Sequence, residues 1–162
     1  MRWDAGRTTM QFLMERNRIE PIAVSDPESD CGALLNRAKK RLATANAALV
    51  GEDNEGPFAN AYDVYRMGAD CLLLRQGLRA TGGEGSHMAV EDAVAAQFGD
   101  AVEEYAKPLF QRFRQGRHAS QYFDPSLPEK TQDDARWAVE TAERALRGVE
   151  DVLASGGLGL YG

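Results

Sequence analysis

The amino-acid sequence predicts an all-α fold, an up-and-down bundle of four long helices with one or two shorter ones. Three observations carry this expectation. Apolar residues recur at three-to-four spacing in several separate segments, no segment alternates as a strand would, and the breaks between segments are short and rich in glycine and proline. At 162 residues and 43% hydrophobic composition the chain has material for one continuous core, and a second domain is not expected. The pattern divides into a short N-terminal helix and linker over 1–28, a helical bundle over 29–154 and a mobile glycine-rich tail over 155–162.

Each element follows from its own residues. Met10, Leu13, Met14 and Asn17 place a short helix over Thr9 to Arg18, ended by Glu20-Pro21. After the polar linker Ser25 to Asp30, with Pro27 inside it, Leu35, Ala38, Leu42, Ala45 and Leu49 form one helical stripe that stops at Gly51. Gly56-Pro57 opens a third helix whose inward face is Phe58, Tyr62, Tyr65, Ala69, Leu72 and Leu73, reaching about Leu78 and ended by the glycines of Thr81 to Gly85. Ser86 is the expected N-cap of a fourth, burying Val90, Val94 and Phe98. Val102, Ala106, Leu109, Phe110 and Phe113 continue helically, with Pro108 as a kink or a fresh start and Gly116 as the end. Tyr122 to Pro128 reads as a loop. Thr131 and Asp134 then form a capping box for a last helix striped by Ala135, Ala138, Val139, Ala142, Leu146, Val149 and Val152.

Composition excludes several functions. A net charge of −6 argues against coating nucleic acid by bulk electrostatics. The window from Tyr105 to Phe123 is the exception: Lys107, Arg112, Arg114 and Arg117 give it +4, so the remaining residues sum to −10. Cys31 and Cys71 fall in different helices, without a CxxC pair or a histidine at ligand spacing, and read as buried reduced thiols. With two histidines and no acidic constellation repeated across facing helices, neither a metal nor a cofactor is expected. No segment has the length of a membrane span, and the start MRWDAGRTT lacks the apolar core of a signal peptide, so the expected location is the cytoplasm.

The concentrated chemistry lies in RFRQGRHASQY, from Arg112 to Tyr122, read as the end of one helix and the beginning of an irregular connection. Arg112, Arg114 and Arg117 can grip phosphate bidentately, and Phe113, Tyr122 and Phe123 can stack on bases. The alternative is a solvated basic helix end that complements the helix dipole. Elsewhere, Gly82, Gly83 and Gly85 read as an interhelical turn, with an anion-holding backbone nest as the alternative. His87 reads as a surface or capping residue, Trp3 and Trp137 as packing residues away from the basic turn, and Glu140 and Arg144 as an i,i+4 pair on a solvated face.

At Arg117-His118-Ala119-Ser120-Gln121-Tyr122 the chain resembles the HEPN superfamily, small helical bundles that include metal-independent ribonucleases and partners of nucleotidyltransferases. The signature of that family is Arg, a polar residue, three further residues and His. Arg117 and His118 match its first two positions, and Tyr122 replaces the terminal His; alternatively, Arg112 and His118 supply the Arg and the His with five residues between them. The resemblance extends from about Leu34 to Leu153 and takes in the TGGEGSH stretch and the Tyr-Phe-Asp-Pro run. It implies an RNA- or nucleotide-binding module, a homodimer with the motif turns facing each other, and a toxin-antitoxin or defence setting with a nucleotidyltransferase partner. In family members that cleave RNA, a ribose 2′-hydroxyl attacks the adjacent phosphate while Arg stabilises the developing charge. A histidine of pKa about 6.5 can carry that proton, whereas a tyrosine at about 10 cannot. The resemblance therefore implies a binding or partner module, in which Arg117, His118 and Tyr122 form the site and Arg112, Arg114 and Phe113 add affinity; the alternatives are a metal-independent endoribonuclease using Arg117 and His118, and a helical interaction protein without a nucleic-acid role.

Overall fold

Asp26 accepts a hydrogen bond from the Ser29 N–H at 3.0 Å, and Pro27 sits in the first turn behind it, where its missing N–H costs nothing. The linker residue Pro27 therefore starts a helix instead of breaking one. A computed structural model describes residues 3–83 and 85–162 of the chain. Met1 and Arg2 of the predicted N-terminal segment, and Glu84 of the TGGEGSH stretch, lie outside the described residues. The elements in chain order are α1 (Arg7–Glu15), β1 (Ile19–Pro21), α2 (Pro27–Ala47), α3 (Glu55–Arg75), β2 (Leu78–Ala80), α4 (Ser86–Phe98), α5 (Lys107–Gln121) and α6 (Gln132–Ala154). Single 3-10 turns at Ala48–Val50 and Glu103–Tyr105 follow α2 and precede α5. The fold is thus mainly helical, and no helix among the described residues is long and apolar enough to cross a membrane.

Besides the start at Pro27, the N-cap of α4 is Gly85 and not Ser86, and Arg144 meets Glu104 at 3.6 Å where Glu140 was expected. Four further features depart from the sequence reading, each for a local reason. Two short strands are present: β1 pairs antiparallel with β2 in the register Ile19 to Ala80, Glu20 to Arg79 and Pro21 to Leu78, and Arg79 donates to Glu20 at 2.7 Å across the pair. Three residues are too few to display an alternating pattern. The third helix stops at Arg75, not Leu78, because Gly77 adopts a left-handed backbone (φ 72°) that turns the chain into β2. Gly116 does not end α5, which runs on to Gln121; a Cβ at Gly116 would stand 2.5 Å from Phe58 Cζ, so its glycine admits an aromatic ring. The tail expected to be mobile lies against the body, with Leu158 buried and the Tyr161 N–H donating to the Gln76 carbonyl at 3.0 Å.

The last helix begins as the sequence predicts: Thr131 and Asp134 bond reciprocally in a capping box. Pro108 marks a fresh start, in the first turn of α5. Around α3 the core assembles, since this helix packs against α2, α5 and α6, while α4 packs between α1 and α5. Cys31 on α2 and Cys71 on α3 are buried free thiols, and the Cys31 S–H donates to the Cys71 carbonyl at 3.1 Å.

The centre of the core is aromatic. Phe113 of α5 is fully buried, with ring centroids 4.7 Å from Tyr65, 5.2 Å from Trp137, 5.4 Å from Phe58 and 5.5 Å from Tyr62. Tyr65 donates its hydroxyl to the Glu104 carbonyl at 2.6 Å, and Tyr105 donates to the Tyr65 carbonyl at 2.8 Å. Burial pushes the ionisation of both hydroxyls well up, so both keep the proton they donate.

Because Phe58 is held between Phe113 and Trp137, Gly116→Ala is expected to lower stability by about 1–3 kcal/mol in urea unfolding. Gly32→Ala, at an exposed position of α2 with nothing within 4 Å of the new Cβ, is expected to raise it by about 0.5–1 kcal/mol through helix propensity. Equal effects at the two positions would contradict the close approach to Phe58.

Candidate functional site

Burial of Phe110 and Phe113 fixes the rotation of α5, and at about 100° per residue this rotation sorts the basic segment into two flanks. Arg114, Arg117, His118 and Gln121 fall on one side. Together with Tyr62 from α3 and His87 from the first turn of α4, they line an open cleft of about 340 Å³. Arg112 falls on the other side, where its guanidinium lies 4.2 Å above the Trp137 ring beside Gly116 and Lys130. The eleven residues read as one turn are therefore helical up to Gln121, and they serve two surfaces.

The predicted site residues separate accordingly. Arg114, Arg117 and His118 come together in the cleft. Arg112 does not join them, and Trp137, read as lying away from the basic residues, is its platform. Phe113 is a core residue that presents no ring to solvent. Tyr122 caps α5 outside the cleft lining, donating its N–H to the His118 carbonyl at 3.1 Å; its ring lies 4.7 Å from that of His118. Tyr122 and Phe123 are 58% and 89% exposed, so both present ring surface to solvent.

Carboxylates from α3 and α4 meet most of the +4 charge. Glu91 is completely buried, and Arg114 Nε donates to its Oε2 at 2.6 Å while Lys107 Nζ lies 3.2 Å from its Oε1. Lys107 also donates to Asp92. Burial opposes the charge on Lys107, but the bonds to Asp92 and Glu91 outweigh it and raise its pKa above the ordinary lysine value. Arg117 is more loosely held: its Nε is 3.7 Å from Asp63, and it donates to Gln121 one turn on. Arg114 is thus largely engaged in holding α5 to α4, whereas Arg117 is the cation best placed to meet a ligand.

His87, read as a surface or capping residue, is exposed in the first turn of α4, and the fold also brings it to the edge of the cleft. Arg66 donates to its Nδ1 at 2.5 Å, and the Tyr62 hydroxyl lies 3.4 Å from the same atom. Guanidinium has donors only, so Nδ1 accepts and the ring proton sits on Nε2. Desolvation, followed by the charges of Arg66, Arg117 and Arg114, holds the pKa of His87 below the ordinary histidine value, against a smaller opposing effect of Asp63. Tyr62 is pushed up by burial, partly offset by Arg66. Both histidines of the chain therefore line one cleft, although 31 positions separate them in sequence.

The end of α5 is anchored from α3. Glu55 accepts from the Ser120 hydroxyl, from the Lys130 N–H at 3.0 Å and from Lys130 Nζ at 3.3 Å. Desolvation works against its ionisation, but these bonds prevail and hold its carboxyl below the usual range. The residues of the Tyr122 to Pro128 loop are thereby tied at both ends to the start of α3.

Among the described residues no three His, Cys, Asp or Glu side chains converge as a metal would require. The cleft instead offers guanidinium and imidazole donors, the set that holds an anion. No protein-family model, no curated protein and no solved structure matches the chain.

Removing Arg114 leaves the buried Glu91 carboxylate to Lys107 alone, so Arg114→Ala is expected to lose about 3–5 kcal/mol in urea unfolding. Arg117→Ala, which breaks the 3.7 Å pair to Asp63 and an exposed hydrogen bond to Gln121, is expected to stay within about 1 kcal/mol of wild type. A small effect at both positions would show that the Glu91 pairing does not hold α5.

Proposed function

We propose that this chain is a HEPN-like module that binds RNA or a nucleotide through the cleft between α3, α4 and α5. The observation that carries this reading is the convergence of Arg114, Arg117, His118, His87 and Gln121 on one open cleft in a chain of net charge −6. Arg117 grips phosphate, Arg114 contributes field and position, and the exposed rings of Tyr122 and Phe123 supply stacking at the end of the helix. An up-and-down bundle is supported by the packing of α3 against α2, α5 and α6. In a homodimer, the exposed Tyr122, Phe123 and Leu127 supply apolar surface next to the cleft, and two clefts joined across it would widen the basic patch. A nucleotidyltransferase partner belongs to the same reading, carried by the family resemblance alone.

Binding of single-stranded RNA should weaken as salt rises, because phosphate contacts release counterions. Arg117→Ala is expected to lower affinity at low salt and to reduce the slope of log affinity against log salt by about 0.7–1. RNA binding that is absent, or unchanged in slope in the folded variant, would favour a helical interaction protein.

A second reading, metal-independent cleavage of RNA, is favoured by one observation: His118 is exposed in the cleft beside Arg117. It would accept the ribose 2′-hydroxyl proton while Arg117 stabilises the phosphoryl charge. Cleavage of transfer RNA and single-stranded RNA in EDTA, lost in Arg117→Ala and His118→Ala and retained in Tyr122→Phe, is the expected outcome of that reading. Intact RNA after incubation with folded wild-type protein would leave the binding module alone.

A further inference from the structure

We propose that His87 is a ligand for the bound phosphate and takes up one proton as the anion occupies the cleft. The inference rests on the phosphate-binding reading of the cleft and adds to it a residue, a protonation step and a pH dependence.

Its basis is the geometry around one nitrogen. Nδ1 of His87 accepts the Arg66 N–H at 2.5 Å, which fixes the empty cleft with a neutral imidazole whose proton is on Nε2. Three guanidinium groups then act on that ring: Arg66 from α3, and Arg114 and Arg117 from α5. The first turn of α4, where His87 sits, adds the positive end of a helix dipole. Among the described residues, opposing charge is sparse. Asp63 on α3 faces the ring and is shared with Arg117; Glu91, one turn along α4, is taken by Arg114 and Lys107; Asp70 is taken by Arg66 at 3.2 Å. Tyr62, stacked on the ring at a centroid distance of 6.3 Å, is un-ionised, and His118 lines the same cleft from α5.

A cluster so rich in positive charge disfavours imidazolium while the cleft is empty. A phosphate reverses this, since its charge offsets Arg114 and Arg117 and its oxygens accept from the ring. The proton comes from solvent and goes to Nδ1. No covalent bond of the ligand changes; the hydrogen bond from Arg66 is lost, and Arg66 keeps its ion pair to Asp70. Imidazolium then donates from both nitrogens, one of them to the phosphate.

The linkage has a definite sign. The midpoint of His87 is depressed in the free protein and raised in the complex, so affinity grows as pH falls between the two midpoints, by about tenfold per pH unit at its steepest. The test uses the full chain and a short deoxythymidine oligomer. This probe has phosphodiesters that do not titrate between about pH 5 and 8 and no 2′-hydroxyl to be cleaved. With only two histidines, two Cε1–H resonances follow the titration, and His118→Gln assigns them.

Adding the oligomer should move the His87 midpoint from below the ordinary histidine value to above it. In His87→Gln the oligomer should still bind, with most of the pH dependence gone, and in Arg66→Gln the midpoint of the free protein should rise. Binding with an unmoved His87 midpoint, or with its full pH dependence kept in His87→Gln, overturns the role of His87 and leaves the cleft reading intact. Failure of folded wild-type protein to bind the oligomer at any of these pH values overturns the role of His87, and failure to bind single-stranded RNA as well overturns the cleft reading.

Discussion

The burial of Phe113 is the constraint on which the rest of the site depends. Its ring is enclosed by Phe58, Tyr62 and Tyr65 along one face of α3 and by Trp137 of α6. An aromatic side chain packed on four others has one rotational setting for its helix, because interiors at crystal-like density tolerate little displacement. Once α5 is set, Arg114, Arg117, His118 and Gln121 face Tyr62 and His87, and Arg112 faces Trp137. The chemistry of the surface is thus dictated by a residue that never reaches it.

Electrostatics divides the work among the cations that this setting exposes. Glu91 has no contact with solvent and is tolerated because Arg114 and Lys107 both reach it. This cross-tie between α4 and α5 holds together the walls that carry His87 and His118. The cost is that Arg114 is committed, which leaves Arg117, at 3.7 Å from Asp63, as the cation with the most freedom to meet an anion. In a chain of net charge −6 the cleft keeps guanidinium groups on its lining, because Glu91 is shared by Arg114 and Lys107 and Asp63 holds Arg117 only loosely.

Glu55 has the corresponding role at the other end of α5. It binds Ser120 and Lys130 at once, so the first turn of α3 fixes both where α5 finishes and where α6 is about to begin. The loop between them carries Tyr122, Phe123 and Leu127, all exposed. Anchors at Ser120 and Lys130 thus flank a loop whose exposed rings lie near the end of α5.

The helices were legible in the sequence because local physics sets them. Apolar spacing located α2, α3 and α6, the Thr131 and Asp134 pair announced the start of α6, and Pro108 marked a start once its place in the first turn is considered. The ribbon of β1 and β2 was not legible, since three residues per strand carry no period and their pairing joins positions about sixty apart. Glycine was ambiguous for a related reason: Gly77 turns the chain through its own backbone, whereas Gly116 is required by a ring from another helix. For the site, the sequence by itself determined which residues could carry charge or a proton, and it placed Arg114, Arg117 and His118 within one turn or so of each other. Only the tertiary structure decided that Arg112 and Phe113 leave that group, and that His87, Tyr62 and Arg66 enter it. Side-chain chemistry is a property of the residue, but which side chains face one another depends on the rotation and packing of three helices, and that is set by long-range contacts.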